Sequence, residues 1–120
     1  FDKDLPSIMA DKEQIILVCK NIISNSRRAI NGRGWLKIAT AKGMDNNVAV
    51  TLFDSGRGIP SNVIDKIFDP FFVVNEEERG MGLGLCVSSD IIKRHGGTLT
   101  VKSQKEKGTI FQLTLPIDTV

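Results

Sequence analysis

Apolar and small residues recur at Ile15, Val18, Cys19, Ile22, Ile23, Ser26 and Ile30, three or four positions apart, the period of a helix with one buried face. Asp11 stands ahead of them as an N-cap, with Gln14 in capping-box position. Asn31-Gly32 and Gly34 mark the end of this helix. Two runs that alternate in polarity follow, Trp35–Ala41 and Val48–Phe53, and read as an antiparallel pair joined through Lys42–Asn47. Ser61–Ile67 reads as a short helix. Helical periodicity returns over Leu85–His95 and stops at Gly96-Gly97. A last hairpin, Thr98–Ser103 with Thr109–Leu115, turns at Gln104–Gly108. This order predicts an α+β two-layer sandwich: a mixed, mainly antiparallel sheet covered on one face by about three helices.

The polar positions are less regular and more informative. Asn21, Asn25 and Arg28 are spaced so that, at ~100° per residue, they form a stripe well away from the apolar face of the first helix. Asp54 follows directly on the second strand, ahead of Gly56 and Gly58, with Pro60 stiffening the exit. After a segment with three aromatics (Phe68, Phe71, Phe72) and three consecutive glutamates come Gly80, Gly82 and Gly84, just before the second long helix. Together these stretches describe a nucleotide pocket. A carboxylate can accept from the exocyclic amine of adenine, and guanine offers an oxygen there instead. Glycines let backbone approach a ring edge. Alternating glycines at a helix N-terminus let successive N–H groups converge on phosphates. Side-chain amide oxygens suit the hard Mg²⁺ that accompanies a triphosphate, and Arg28 suits a phosphate. Neither a P-loop nor a Gly-x-Gly-x-x-Gly dinucleotide fingerprint occurs, since Leu85 and Val87 stand where the latter needs glycine.

Composition narrows the setting. A chain of 120 residues is one domain. A net charge of +2, with Lys and Arg scattered and few aromatics among them, gives no footprint for nucleic acid. No apolar run approaches the ~20 residues of a membrane helix, so no membrane contact by this domain is expected. The two cysteines, Cys19 and Cys86, lack metal-ligand spacing and read as reduced, buried thiols of a cytoplasmic domain. The single His95 leaves no multi-histidine metal site. The opening Phe1-Asp-Lys-Asp-Leu-Pro, with no start methionine, reads as the tail of a connection. Residues 1–120 are therefore expected to be a domain excised from a longer polypeptide, its first strand expected to be cut short.

Asn21 to Asn25, Asp54-Ser-Gly-Arg-Gly-Ile-Pro60 and Gly80-Met-Gly-Leu-Gly-Leu85, followed by Arg94-His-Gly-Gly97 and Gly108-Thr-Ile-Phe111, resemble the N, G1, F and G2 boxes of the ATP-binding catalytic domain of sensor histidine kinases. That family lies within the Bergerat-fold ATPase and kinase superfamily, and the resemblance runs from about Leu5 to Pro116. It implies Asn25 as a Mg²⁺ ligand, Asn21 near the metal and phosphates, and Asn21, Asn25 and Arg28 as the catalytic set. It implies a nucleotide pocket made by Asn25, Asp54, Gly56, Gly58, Ile59, Phe68, Arg79, Gly80, Met81, Gly82, Leu83, Gly84, Leu85 and Thr109, with Thr109 and Gly58 at the base. Phe68 and Phe71 would anchor a mobile lid at residues 73–79. The implied partners are a histidine-bearing dimerisation domain of the same protein, homodimeric in full length, and a downstream response regulator. His95 matches a helix-end histidine of the fold, not the phosphoacceptor. This chain departs from the pattern at Met81, where Thr or Ser is usual, at Asn75, where short-lid relatives often carry Lys, and at Ala29, where many carry a larger side chain. Related hydrolases place a glutamate general base at the position of Asn21; an amide there favours a kinase over a Bergerat-fold ATPase. An ATP-sensing pseudokinase module is the third reading.

Overall fold

The computed structural model describes residues 8, 10–30, 32–43, 46–69 and 84–117. Helix α1 (Lys12–Ala29) is followed by strands β1 (Leu36–Lys42) and β2 (Asn47–Asp54), one 3₁₀ turn (Ile64–Lys66), helix α2 (Gly84–Arg94), and strands β3 (Thr98–Gln104) and β4 (Gly108–Pro116). The expected two-layer α+β arrangement is observed. The four strands form one sheet in the order β1-β2-β4-β3, antiparallel at every pairing, and both helices lie on one face of it.

Each element follows from its residues. Asp11 caps α1, its Oδ1 accepting from the N–H groups of Glu13 and Gln14 at 3.1 and 3.2 Å. The capping box is not closed by Gln14. The Asp11 N–H instead donates to His95 Nε2 at 3.1 Å, while His95 Nδ1 meets the Ile91 carbonyl at 2.8 Å. The histidine thus holds the start of α1 against the end of α2. Ser61–Ile67, expected to be helical, is a turn carrying only the 3₁₀ element. Alternation along the strands sorts them cleanly: Val48, Leu52 and Asp54 of β2 and Thr109, Phe111, Leu113 and Leu115 of β4 are buried beneath the helices. Val18 and Ile22 of α1 and Ile91 and Ile92 of α2 meet them from above, and Ile67 closes one side. Full burial of one such aliphatic side chain contributes ~1.5–3 kcal/mol.

Candidate functional site

The register fixes the first part of the site. Leu36, Asp54, Thr109 and Ser103 lie opposite one another across β1, β2, β4 and β3, so they share one row on the helix-covered face at one end of the sheet. Asp54 is the last residue of β2, inside the ladder, where the sequence suggested a position just beyond it. It is only 4% exposed. One of its carboxylate oxygens accepts the Gly56 N–H at 2.9 Å, which leaves the second oxygen for another donor. Next to it Thr109 is equally buried, and its hydroxyl lies 2.9 Å from Ser103 Oγ.

Ser103 was not singled out from the sequence, yet it joins three parts of this row. Its Oγ accepts the Ile59 N–H at 2.7 Å and lies 3.0 Å from the Gly108 carbonyl. The loop after Asp54 is thereby tied to the far end of β3. A second tie runs from the Glu106 N–H to the Arg57 carbonyl at 2.6 Å. The signal was present in the hairpin pattern: a turn at 104–108 sets residue 103 opposite residue 109.

Gly56 and Gly58 are required to be bare by the packing of the fold itself. A Cβ on Gly56 would stand 2.8 Å from backbone and side-chain atoms of Ala29, at the end of α1. Gly58 has φ +75 and is packed against the Gln104 carbonyl. The room these glycines make is taken by the protein's own backbone. Ile59 and Phe68 pack their side chains against the core; Phe71 and the lid that the two phenylalanines were expected to anchor lie outside the described residues.

The second part of the site is the polar stripe of α1, and it divides. Asn21 faces α2: its Nδ2 donates to the Gly84 carbonyl at 3.1 Å and to Ser88 Oγ at 3.2 Å, and Ser88 Oγ itself returns to the Gly84 carbonyl at 2.7 Å. With the amide nitrogen committed, its orientation is fixed, and Oδ1 is the atom turned elsewhere. Asn25 Oδ1 accepts from Arg28 Nη2 at 2.8 Å, and Arg28 Nε is buried with no partner among the described residues. An amide oxygen that already faces a guanidinium is placed to meet positive charge, and an orphaned guanidinium N–H can be satisfied by an anion. An amide oxygen suits Mg²⁺ and a guanidinium suits phosphate; here the two groups are hydrogen-bonded to each other. Gly84 opens α2, and Leu85 packs against the core, so contributions from both to a ligand are limited to backbone. Arg79, Gly80, Met81, Gly82 and Leu83, together with the lid at 73–79, lie outside the described residues.

Comparison with known proteins agrees with this geometry. Residues 10–119 match the family described as histidine kinase-, DNA gyrase B-, and HSP90-like ATPase. The sensor histidine kinase ZraS of Escherichia coli (strain K12) is 40% identical over 114 residues, covering 95% of this chain and 24% of that protein. The catalytic domain of histidine kinase ThkA superposes with a TM-score of 0.78 at 33% identity, covering 91% of this chain and 70% of that one. Full-length ShkA, solved in complex with AMPPNP, superposes with a TM-score of 0.82 at 25% identity, covering 97% of this chain and 24% of that one. The chain spans about a quarter of the length of the sensor kinase ZraS. It belongs to the histidine kinase-, DNA gyrase B-, and HSP90-like ATPase family, and its relatives there are sensor histidine kinases and histidine kinase catalytic domains.

Proposed function

We propose that this domain binds Mg²⁺-ATP and presents its γ-phosphoryl group to a histidine on a dimerisation domain of the same protein, from which a response regulator takes it. The observation that carries the reading is Asp54: buried, pinned through one oxygen by the Gly56 N–H, and set beside the Thr109 hydroxyl. A carboxylate so held is a one-sided acceptor. It suits the exocyclic amine of adenine, and it would meet guanine's oxygen acceptor to acceptor. Thr109 and Ser103 supply hydroxyls at the same level for the ring edge.

At the other end, Asn25 and Asn21 offer amide oxygens that would hold Mg²⁺, and Arg28 would turn from Asn25 to a phosphate oxygen when the nucleotide is bound. The metal supplies neutralisation of charge on the triphosphate. Asn21 is an amide whose nitrogen is committed to α2, so it takes no proton from water at neutral pH. A neutral imidazole needs no strong base to attack phosphorus, which favours transfer to histidine over hydrolysis.

The test uses two readouts. Calorimetry should show Mg²⁺-dependent binding of ATP with strong preference over GTP. Radiolabel from γ-labelled ATP should then appear on an added histidine-bearing dimerisation domain and not on that domain with its histidine replaced. Binding without transfer would leave an ATP-sensing module, and failure to bind ATP would remove the reading altogether.

A further inference from the structure

The sheet face turned away from the helices carries a pattern that nucleotide handling does not use. One row across all four strands reads Lys37, Phe53, Ile110, Lys102, with the apolar pair in the middle and a cation at each end. Trp35, just before β1, extends the apolar surface and is 57% exposed, and Ile110 is 37% exposed. Lys37 Nζ lies 6.0 Å over the Phe53 ring. Trp35, Phe53 and Ile110, together with Lys102 and Lys107, line one side of a groove of about 500 Å³ that also reaches Asp54, Ser103 and Thr109.

Single exposed apolar residues are ordinary. Here three are contiguous, they border a concavity, and the charges on the strand positions of this face are all positive: beyond Lys37 and Lys102 it presents Ala39, Ala41, Ala49, Thr51, Gln112 and Thr100. Glu106, in the turn between β3 and β4, does not line the groove, and Asp54, which does, is only 4% exposed and belongs to the helix-covered row. Apolar contact flanked by one sign of charge fixes the chemistry of the complement, because desolvated aromatic and aliphatic anchors supply affinity while the flanking charges select the partner. A nucleic acid is the weaker fit. It would place phosphates over the central apolar pair, and the chain as a whole carries only +2.

The geometry points to a docking site for an acidic amphipathic protein segment. Its apolar side chains seat on Trp35, Phe53 and Ile110, and its carboxylates reach Lys37 and Lys102. With strands ~4.8 Å apart, those two lysines are rooted ~14 Å from each other across the sheet, the span of about nine helical residues. The anchors and both lysines lie on the sheet face opposite the helices, while the groove they border also reaches Asp54, Ser103 and Thr109, so ATP affinity is measured beside peptide binding.

Trp35 is the only tryptophan of the chain, so its emission reports on this face directly. The probe is a synthetic helical peptide with leucines at its centre and glutamates toward both ends, titrated beside the same peptide with lysines in place of the glutamates. The acidic peptide should bind saturably and shift Trp35 emission to the blue, and the lysine version should not. In a Lys37→Glu, Lys102→Glu variant, both positions being exposed, binding should weaken at least about tenfold while Mg²⁺-ATP affinity and the melting temperature stay as in the parent. Four outcomes would overturn the proposal: no emission response to the acidic peptide; equal response to both peptides; a matching response to oligodeoxythymidylate with steep salt dependence; or an emission shift that follows protein concentration alone, which would mean that a second copy covers the face.

Discussion

Asp54 has two oxygens in different situations, and that difference makes a sharp prediction. In Asp54→Asn the Gly56 N–H continues to hold an oxygen at Oδ1, so the new amide nitrogen is directed where the second carboxylate oxygen was. It would meet the adenine amine donor to donor and would accept pairing with guanine's carbonyl. The lost charge-assisted bond corresponds to ~1.5–3 kcal/mol, roughly ten- to hundredfold in ATP affinity, with GTP gaining relative to ATP. Unchanged ATP affinity by calorimetry in a folded variant would contradict the role. Asn25→Ala should lose chiefly the Mg²⁺-dependent part of binding, seen by repeating the titration in EDTA. Cys19 allows a simpler check. Burial pushes its thiol above the ordinary range, so the thiolate is disfavoured in the folded state and alkylation should be slow at pH 8 and rapid once the chain is unfolded. The sign for stability follows: the contribution is present below the unfolded thiol's pKa and is lost as pH rises through the folded one.

Between elements, the site depends on ties that neither periodicity nor motif displays. Ser103→Ala removes the partner of the Ile59 N–H. An unsatisfied amide there costs ~1–3 kcal/mol, and exchange at the Ile59 amide should accelerate well beyond any change in β2 or β4. Gly58→Ala should be worse, combining a positive φ with a collision at the Gln104 carbonyl, and thermal melting will rank the two. The strands were legible to within a residue because buried and exposed positions alternate along them. In the Asp54–Thr109–Ser103 row, the hairpin turn sets Ser103 opposite Thr109, but Asp54 opposite Thr109 depends on the pairing of β2 with β4, which no turn or motif determines. Ser61–Ile67 was misread because Val63, Ile64 and Ile67 imitate a helical face, yet a segment closed in between Pro60 and Asp69-Pro70 is too short to nucleate one. Asn21 was assigned, from its angle on the helix, to a polar stripe well away from the apolar face. Its neighbour α2 offers a carbonyl and a hydroxyl at that angle, and such polar packing between helices leaves no periodic trace.

For the molecule as a whole, the proposed function separates holding ATP from spending it. The chain matches about a quarter of the relative ZraS, and position 21 in the α1 stripe is an amide whose nitrogen is bound to α2. Alone with Mg²⁺-ATP the domain should bind and release nucleotide with very little hydrolysis, and steady turnover like that of a dedicated ATPase would sink the kinase reading. Asn21→Glu probes the cause, but the structure changes how it must be read. Glutamate cannot donate to Gly84 or Ser88, and its carboxylate would face the Gly84 carbonyl. The junction of α1 and α2 should therefore weaken by ~1–3 kcal/mol, and melting must be measured first. Hydrolysis per folded, ATP-bound molecule should then rise above that of the parent, because a carboxylate can accept the proton of an attacking water. Asn21→Ala breaks the same two hydrogen bonds without offering a base, so it should lower stability and leave hydrolysis low. If both variants melt early and neither hydrolyses faster, position 21 serves the junction between the helices and has no part in sparing ATP from water.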